Sequence, residues 1–136
     1  MEKVKVAFVC IHNSCRSQMA EGWAKHLGGE FIEAYSAGTE DYPEVKPDAV
    51  KVMEQAGVSM KGHQPKLLEA IPQVDVVITM GCGVKCPYLP SRHREDWGLE
   101  DPSGKPFEEF IKTRELIKEK VLDLIKRIEE NTLFEN

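Results

Sequence analysis

Eight consecutive residues near the N-terminus bring a thiol, a guanidinium group and hydroxyl groups into one short segment, Cys10 to Ser17 (CIHNSCRS). A cysteine thiolate is a nucleophile, and the planar fork of Arg16 can bind two oxygens of a tetrahedral anion at once. Backbone N–H groups at the start of a helix favour the same kind of ligand. We therefore expect residues 10–17 to form an oxyanion-binding loop in which Cys10 attacks the bound anion.

The neighbouring sequence favours this interpretation over a purely structural one. A buried strand is predicted before the loop, from Val4 to Val9, because this run is rich in Val and Phe. A helix is predicted after it, because apolar residues recur every four positions at Met19, Trp23 and Leu27. The alternative is a buried, inert Cys10 that ends a strand, followed by polar residues that only start a helix. Cys15 is expected to be a small packing residue rather than a second nucleophile.

Two more cysteines, Cys82 and Cys86, follow another predicted strand. On the residues alone, three interpretations stay open: a zinc site completed by His93, two thiols without chemistry, and a redox relay. A Cys-x3-Cys pair is at the edge of zinc-finger spacing, and the sequence has no second pair of this kind. Four cysteines in a reducing compartment are not expected to form permanent disulfides.

The relay interpretation makes a geometric demand on the segment around Cys82. A disulfide needs Cβ atoms about 3.8 Å apart, whereas residues four apart on a helix lie at about 5–6 Å. A Cys82–Cys86 bond therefore requires the backbone to move, which the flanking Gly81 and Gly83 permit. Cys82 could first reach Cys10, because both residues follow strand ends at the same edge of the predicted sheet.

A carboxyl group that could serve the same site comes later in the chain, at Asp101, directly before Pro102. On a loop above the anion, this acid could protonate a departing oxygen. Asp-Pro is also a common turn signal, so a catalytic acid and a surface turn stay equally open. His12 is expected to shape the loop, whereas the other three histidines are expected to be structural or exposed.

Alternating strands and helices must position these residues. The order β-α-β-α-β-α predicts a single three-layer α/β domain over residues 1–136, in which helices cover both faces of a parallel sheet. A short strand near His93 to Trp97 makes the expected sheet four-stranded. The long irregular stretch from residue 80 to 105 is typical of a functional loop. The further predicted elements are a strand Phe31 to Ala37, a loop Gly38 to Pro47, a helix Pro47 to Ala56, a short helix Gln64 to Ile71, a strand Val74 to Thr79, a short strand near His93 to Trp97 and a helix from Phe107.

Composition excludes several functional classes. The chain has 136 residues, 41% hydrophobic and 30% charged, with a net charge of −5. An acidic chain without a Lys/Arg cluster argues against a nucleic-acid partner. No apolar stretch approaches the roughly 18 residues of a membrane span, and the charged N-terminal segment is typical of a first strand rather than a signal peptide. We therefore expect a cytoplasmic protein.

The loop Cys10-x5-Arg16-Ser17 with Asn13, placed between a strand and a helix, resembles the low-molecular-weight protein tyrosine phosphatase superfamily. More narrowly, several motifs resemble the thioredoxin-coupled arsenate reductases, and the resemblance covers residues 4 to about 128. These motifs are NSCRSQMAEG from Asn13, YSAG from Tyr35, VITMGC from Val77, Cys86-Pro87 and WGLEDPSGK from Trp97.

The resemblance implies a reaction and its residues. Arsenate would bind the loop Ile11, His12, Asn13, Ser14, Cys15, Arg16 and Ser17, with phosphate or sulfate as competing anions. Cys10 would attack arsenic while Asp101 protonates the departing oxygen. Cys82 would then attack Cys10 to release arsenite, and Cys86 would take over the bond to form Cys82–Cys86. Thioredoxin would reduce this disulfide, so a monomer without cofactor or metal would suffice.

Other functions stay open beside this one. A phosphatase of this superfamily often carries tyrosines after the Asp-Pro pair, whereas Ser103 and Gly104 follow it here. A phosphatase also has no use for Cys82 and Cys86, although weak phosphatase activity is expected from the shared loop. An anion-sensing module on the same fold would keep Arg16 without needing a bond between those cysteines.

Three departures from the family pattern matter. His12 stands where many relatives have Gly, a residue with more freedom in φ. Three residues separate Cys82 from Cys86, where many relatives have six. Some relatives bind potassium through Asn, Glu, Ser and Asp; Asn13, Glu21 and Ser36 match, but Lys66 stands at the Asp position. We expect the Lys66 ammonium group to take the place of the cation.

Overall fold

Four parallel strands form one sheet in the computed structural model, which describes residues 3–81 and 89–134. The strands are β1 Val4–Cys10, β2 Ile32–Gly38, β3 Val76–Thr79 and β4 His93–Asp96. Their spatial order is β2-β1-β3-β4, and every neighbouring pair is parallel. The predicted parallel sheet is therefore confirmed, including the short fourth strand.

The register of β1 fixes which residues meet at the carboxyl edge of the sheet. Cys10 pairs with Gly38 at the end of β2, and Val9 pairs with Thr79 at the end of β3. Both central strands are apolar, because each is buried on its two faces. Segments that follow β1, β2 and β3 consequently leave the sheet side by side, where ligands bind in parallel α/β folds.

Helices cover the two faces of this sheet unequally. The α-helices are α1 Arg16–Gly28, α2 Pro47–Gln55 and α3 Phe107–Glu129. All three contribute to one core cluster together with the β1 side chains Val6 and Phe8. A 3-10 helix, Leu68–Ala70, lies over the other face, where Leu68 packs against the smaller cluster of Ala7, Val9, Val74 and Val77.

The short helix predicted from Gln64 to Ile71 is reduced to that 3-10 turn. Lys66 accepts a hydrogen bond from the Gly38 backbone N–H at 2.8 Å, and Leu67 forms a parallel bridge with Gly38. The backbone before Leu68 is therefore extended, because it prolongs the sheet beside β2. Pro72 favours an extended Ile71 at the other end, and the Ile71 backbone is extended there.

The long C-terminal helix behaves as its apolar spacing predicts. Its apolar residues recur at helical spacing and form one stripe, of which five side chains are buried in the core and three are partly buried against it: Phe110, Ile117, Val121, Leu124 and Ile125, then Phe107, Ile111 and Ile128. Most of the remaining positions of α3 carry charged residues. Among the helices of residues 3–81 and 89–134, none has the length and apolar character needed to cross a membrane.

Candidate active site

The loop between β1 and α1 fits closely against the end of β2. A Cβ atom added to Gly38 would lie 2.6 Å from the Ile11 carbonyl oxygen and 2.9 Å from the Asn13 nitrogen. Asn13 itself has a positive φ of 54°, a left-handed conformation that Asn tolerates better than most residues. Backbone N–H groups of Thr39 and Glu40 donate to the Ile11 carbonyl at 2.8 and 2.9 Å. Close packing at Gly38 and these two hydrogen bonds thus hold the loop against the end of β2.

Two donors converge on the Cys10 sulfur. The Asn13 backbone N–H donates to Sγ at 3.2 Å, and the Ser17 Oγ lies 2.8 Å from the same sulfur. Asn13 Nδ2 donates to Ser17 Oγ at 2.8 Å, so the hydroxyl accepts there and its single hydrogen is available to Cys10. The Cys10 sulfur is thus oriented by two groups of its own loop.

The orientation of Asn13 is fixed by a second set of contacts. Its Oδ1 accepts from Gln18 Nε2 at 3.0 Å and from the Lys66 backbone N–H at 2.9 Å. Gln18 also contacts His63, whose Nδ1 lies 2.9 Å from Gln18 Oε1. Burial lowers the pKa of His63, which favours a neutral ring that donates to this oxygen. This buried chain of polar contacts keeps the Asn13 amide group aimed at Ser17.

Arg16 connects the loop to two other segments. Its Nη1 donates to the Met80 carbonyl at 2.7 Å and to the Leu99 carbonyl at 2.6 Å. Met80 lies two residues before Cys82, and Leu99 lies two residues before Asp101. The side chain is buried, and with Nη1 occupied, Nε and Nη2 form the edge that can bind an anion in the manner of a fork.

These residues line a cavity of about 300 Å³ with Cys10 in its wall. Six of its residues belong to the loop: Cys10, Ile11, His12, Ser14, Cys15 and Arg16. Asn13 and Ser17 are also predicted substrate-binding residues. Both are fully buried and lie outside the lining of the cavity. They contact the nucleophile rather than the cavity.

Three lining residues are absent from the sequence-based set: Tyr42, Lys46 and Ser103. Tyr42 and Lys46 come from the segment after β2, which the sequence analysis treats only as a connecting loop. The strand order indicates that Tyr42 and Lys46 can reach the cavity, because β2 ends beside Cys10. Any segment that leaves β2 at that edge can reach the site.

The predicted acid, Asp101, lines the same cavity. Burial of its carboxyl group opposes ionisation, but hydrogen bonds from Ser103 and the charges of Arg16 and Lys46 outweigh this effect. The pKa of Asp101 is consequently lower than that of an ordinary Asp. In the protein without a bound anion, this group is therefore a carboxylate near neutral pH.

The thiol of Cys15 behaves differently from that of Cys10. Burial, together with the charges of Asp101 and Cys10, raises the pKa of Cys15 to about 12. A thiol that stays protonated is a poor nucleophile. This is consistent with the expectation that Cys15 is a packing residue.

His12 stands in the loop without a left-handed backbone. Within residues 3–81 and 89–134, the non-glycine residues with positive φ are Asn13 and Asn131, so a Gly is not required at position 12. The His12 ring packs against Tyr42 in a tilted arrangement, with ring centroids 4.9 Å apart, and its Nε2 lies 3.2 Å from Glu40 Oε1. The side chain thus forms part of the cavity rim.

A buried carboxylate, Glu21, lies behind the loop. Ser36 Oγ donates to it, Lys25 Nζ lies 2.5 Å from Oε2, and Lys66 Nζ lies 3.9 Å from Oε1. Burial opposes ionisation, but these partners outweigh it and lower the pKa of Glu21. Lys66 is therefore positioned to supply positive charge next to Glu21. This agrees with the expectation from the sequence, in which Lys66 stands where some relatives have Asp.

Cys82 and Cys86, the cysteines expected to form the relay, lie outside the described residues. The residue before them is held firmly: the Gly81 N–H donates to Asp96 Oδ1 at 2.9 Å, and its φ is +102°. A Cβ atom at Gly81 would lie 2.9 Å from the Leu99 carbonyl oxygen. In the described part of the chain, no group of three or more His, Cys, Asp or Glu side chains could hold a metal ion.

Known proteins share both this sequence and this fold. Arsenate reductase 2 of Staphylococcus epidermidis is 41% identical over 123 residues, which are 87% of this chain and 93% of that protein. A structure described as an arsenate reductase in the phosphate binding state has a TM-score of 0.84 at 44% identity, and the match covers 93% of this chain and 99% of that one.

A third similar protein is the thioredoxin-dependent arsenate reductase of Corynebacterium glutamicum, with a TM-score of 0.77 at 33% identity over 95% of this chain and 63% of that one. Residues 5–133 match the family model for low molecular weight phosphotyrosine protein phosphatases. With the loop geometry and the sheet described above, these matches show that the chain belongs to the low molecular weight phosphotyrosine protein phosphatase family and is related within it to bacterial arsenate reductases.

Proposed function

We propose that this protein is an arsenate reductase that uses a thiol–disulfide relay through Cys10, Cys82 and Cys86. The main support is the cavity, in which Cys10, Arg16 and Asp101 line one small space. A second support is the strand order, because β3, which leads towards Cys82, lies directly beside β1, which ends at Cys10. Similar proteins named as arsenate reductases add a third.

The first step forms a covalent adduct. Arsenate binds to the loop and to the free edge of Arg16, and the Cys10 thiolate attacks arsenic. A sulfur–arsenic bond forms while one arsenic–oxygen bond breaks, and the oxygen leaves as water after it receives a proton from Asp101. Because Asp101 is ionised in the empty protein, the bound anion must first raise its proton affinity or bring the proton with it.

The second step transfers two electrons to arsenic. The Cys82 thiolate attacks the Cys10 sulfur, the sulfur–arsenic bond breaks, and its electron pair stays with arsenic, so that As(V) becomes As(III) and arsenite leaves. The Cys86 thiolate then attacks Cys82, which frees Cys10 and leaves a Cys82–Cys86 disulfide. All electrons come from thiols, so the relay needs no bound metal or cofactor.

Thioredoxin is the proposed reductant of the final disulfide. Its dithiol can exchange with an exposed disulfide and return Cys82 and Cys86 to thiols. The similar protein from Corynebacterium glutamicum is described as thioredoxin-dependent. A reducing compartment with thioredoxin is required for repeated turnover, and we therefore propose a cytoplasmic location.

Disulfide mapping tests the relay. The fully reduced protein is incubated with arsenate, quenched with a thiol-blocking reagent and analysed by mass spectrometry, while arsenite is measured separately. The proposal expects one arsenite and one Cys82–Cys86 bond per chain. A Cys86→Ser variant should release one arsenite and stop at Cys10–Cys82, whereas Cys82→Ser should release none. Four free thiols after incubation, or normal turnover of Cys86→Ser with thioredoxin, would contradict the relay.

A weak phosphatase activity is a second candidate function, because the chain matches the phosphotyrosine phosphatase family model over residues 5–133. The same thiolate can attack phosphorus, and water can then hydrolyse the adduct. Hydrolysis of p-nitrophenyl phosphate should require Cys10 but neither Cys82 nor Cys86. If the Cys82→Ser variant lost this activity as well, the two reactions would not share the mechanism proposed here.

A further inference from the structure

A lysine from the segment after β2 completes the wall of the cavity. Lys46 lines the same space as Cys10, Arg16 and Asp101. Its position relative to the loop is set by the main chain, because the Lys46 N–H donates to the Ser14 carbonyl at 2.7 Å. Lys46 also precedes α2 directly, and its carbonyl accepts the first hydrogen bonds of that helix. Both anchors limit how far its backbone can move from the loop.

The side chain of Lys46 is held at the rim by Tyr42. Nζ donates to the Tyr42 hydroxyl at 2.5 Å, and the ammonium group lies 4.8 Å from the centre of the same ring. The same ring packs against His12, with ring centroids 4.9 Å apart. A flexible lysine normally loses much rotamer freedom when it binds a ligand, but here part of that ordering is present before any anion arrives.

The charges around the cavity favour an anion with more than one negative charge. Arg16 and Lys46 supply two positive charges to one small space, and Asp101 supplies one negative charge. The ammonium group interacts favourably with the Asp101 carboxylate. Lys46 thus offsets negative charge that Asp101 and the attacking Cys10 thiolate bring to the same space, in a chain whose net charge is −5.

We propose that Lys46, held by Tyr42, is a second cationic residue of the oxyanion site and gives it a preference for doubly charged tetrahedral anions. This inference deepens the proposed function, because it takes the cavity as the arsenate site and names the charge form that it selects. Arg16 binds the oxygens of the anion close to Cys10, while Lys46 balances charge from the open side.

Two anions of the same shape separate charge from fit. Sulfate and perchlorate are both tetrahedral, but sulfate carries two charges and perchlorate one. Dissociation constants of both are measured for the reduced protein by titration calorimetry at low ionic strength. In a Lys46→Met variant, sulfate affinity should fall by about 5- to 20-fold, because a unit charge acts over only a few ångströms with little screening. The loss for perchlorate, on a logarithmic scale, should be about half as large.

Matched variants exclude effects of net charge and of structure. Lys61→Met removes the same charge from an exposed turn outside the cavity lining and should change sulfate affinity less than twofold. Lys46→Arg should keep most of the affinity, because it keeps the charge. Tyr42→Phe keeps the ring but loses the hydroxyl that orients Nζ, and it should fall between wild type and Lys46→Met.

Kinetics give an independent readout of the same residue. For arsenate reduction, Lys46→Met should raise KM by a similar factor and leave kcat within about threefold, because it removes binding charge rather than a reacting group. The inference would be overturned if Lys46→Met weakened sulfate and perchlorate binding by the same factor. It would also be overturned if Lys46→Arg lost as much sulfate affinity as Lys46→Met. Failure of the proposed function would look different: the wild-type protein would bind sulfate but form no arsenite.

Discussion

The charge state of Asp101 sets a requirement on the proposed reaction. Hydrogen bonds from Ser103 and the nearby cations lower its pKa, so the empty site holds a carboxylate where the reaction needs a proton donor. An anion bound between Cys10 and Asp101 adds negative charge and raises the proton affinity of the carboxyl group. Asp101 is therefore expected to donate a proton only when substrate is bound, which limits proton donation to other ligands.

Replacing Asp101 tests this role. Asp101→Asn keeps the size of the side chain but cannot give a proton, so we expect kcat for arsenite formation to fall by about 10²- to 10⁴-fold, with a smaller change in KM. Steady-state arsenite formation at several arsenate concentrations, with thioredoxin in excess, measures both parameters. Asp41→Asn is the control, because Asp41 is exposed in the segment after β2 and outside the cavity lining. A normal rate in Asp101→Asn would rule out the acid.

Lys66 makes a prediction about potassium. Its ammonium group lies 3.9 Å from Glu21 Oε1, and Glu21 is nearly buried, so the cluster already contains the positive charge that a bound cation would supply. The melting temperature should be equal in potassium chloride and sodium chloride of the same concentration. Lys66→Met should lower the free energy of unfolding by about 1 kcal/mol, as for a partly exposed ion pair. Stabilisation of the wild-type protein by potassium alone would refute this.

Residue types and spacing are enough to predict Cys10 and Arg16 as neighbours, since they lie in one short loop between a recognisable strand and helix. For Asp101 they leave a catalytic acid and a surface turn equally open, and only the family resemblance favours the acid. The same reasoning does not find Tyr42 and Lys46. Neither residue belongs to a motif, and their place in the cavity depends on the path that the chain takes after Gly38. That path is decided by tertiary contacts, such as the bond from Lys46 to Ser14.

At the level of elements, we expect the close contact between β2 and the loop to be the most sensitive to substitution. A methyl group at Gly38 would overlap with backbone atoms of Ile11, His12 and Asn13, which cannot rotate away as a side chain can. Gly38→Ala should therefore cost about 1–3 kcal/mol and reduce arsenate reduction more than stability alone explains.

A helix-end glycine provides the control for this substitution. Gly29→Ala places its new methyl group 3.2 Å from the Lys25 carbonyl at a helical φ of −58°, and it should be nearly neutral. Chemical denaturation and sulfate binding are measured for both variants. Unchanged sulfate affinity in Gly38→Ala would mean that the loop tolerates displacement from β2.

A carboxylate of the edge strand β4, Glu95, contacts α3. Glu95 accepts two hydrogen bonds from Arg127, at 2.8 and 2.9 Å, and further ones from Trp97 Nε1 at 2.8 Å and from His93. Burial opposes ionisation, but these donors lower the pKa of Glu95 to about 2. A group that ionises more easily in the folded state stabilises the fold wherever it is charged in both states.

The pH dependence of this contribution has a definite sign. The stabilisation by Glu95 is fully present above the ordinary Glu pKa of 4.5 and is lost as the pH falls towards about 2. Glu95→Gln should therefore be less stable than wild type by about 1–2 kcal/mol at neutral pH, after allowance for solvent screening. The difference should shrink steadily in acid. Urea denaturation at several pH values measures it, and a constant difference down to pH 3 would contradict the assignment.

The strands and long helices follow from the sequence because their apolar residues repeat with the correct period, as in α3. The segment from Gln64 to Ile71 does not, because a local helical pattern competes there with sheet-like contacts to Gly38. A local sequence pattern does not predict such contacts, because the residues that form them are far apart in the sequence. The same limit applies to the Glu95–Arg127 pair, whose members are 32 residues apart.

For the whole molecule, the surface supports the expectation of a monomer. Among residues 3–81 and 89–134, the large hydrophobic side chains that are well exposed are Leu116 and Leu122, at 41% and 45%. They are six residues apart on α3, so they point in different directions and do not form one patch. Light scattering after size-exclusion chromatography should give a mass near 15.4 kDa. A dimer at micromolar concentration would contradict the expectation.

The two carbonyl groups that hold Arg16 carry a consequence for folding. They belong to Met80 and Leu99, which lie 64 and 83 residues further along the chain. Contacts between such distant positions form late, because the cost of closing a long loop must be met first. A fragment that contains only the strand, loop and first helix has no partner for this guanidinium group. Affinity for an oxyanion should therefore appear together with the complete tertiary structure, so that sulfate binding during refolding reports the arrival of the native state.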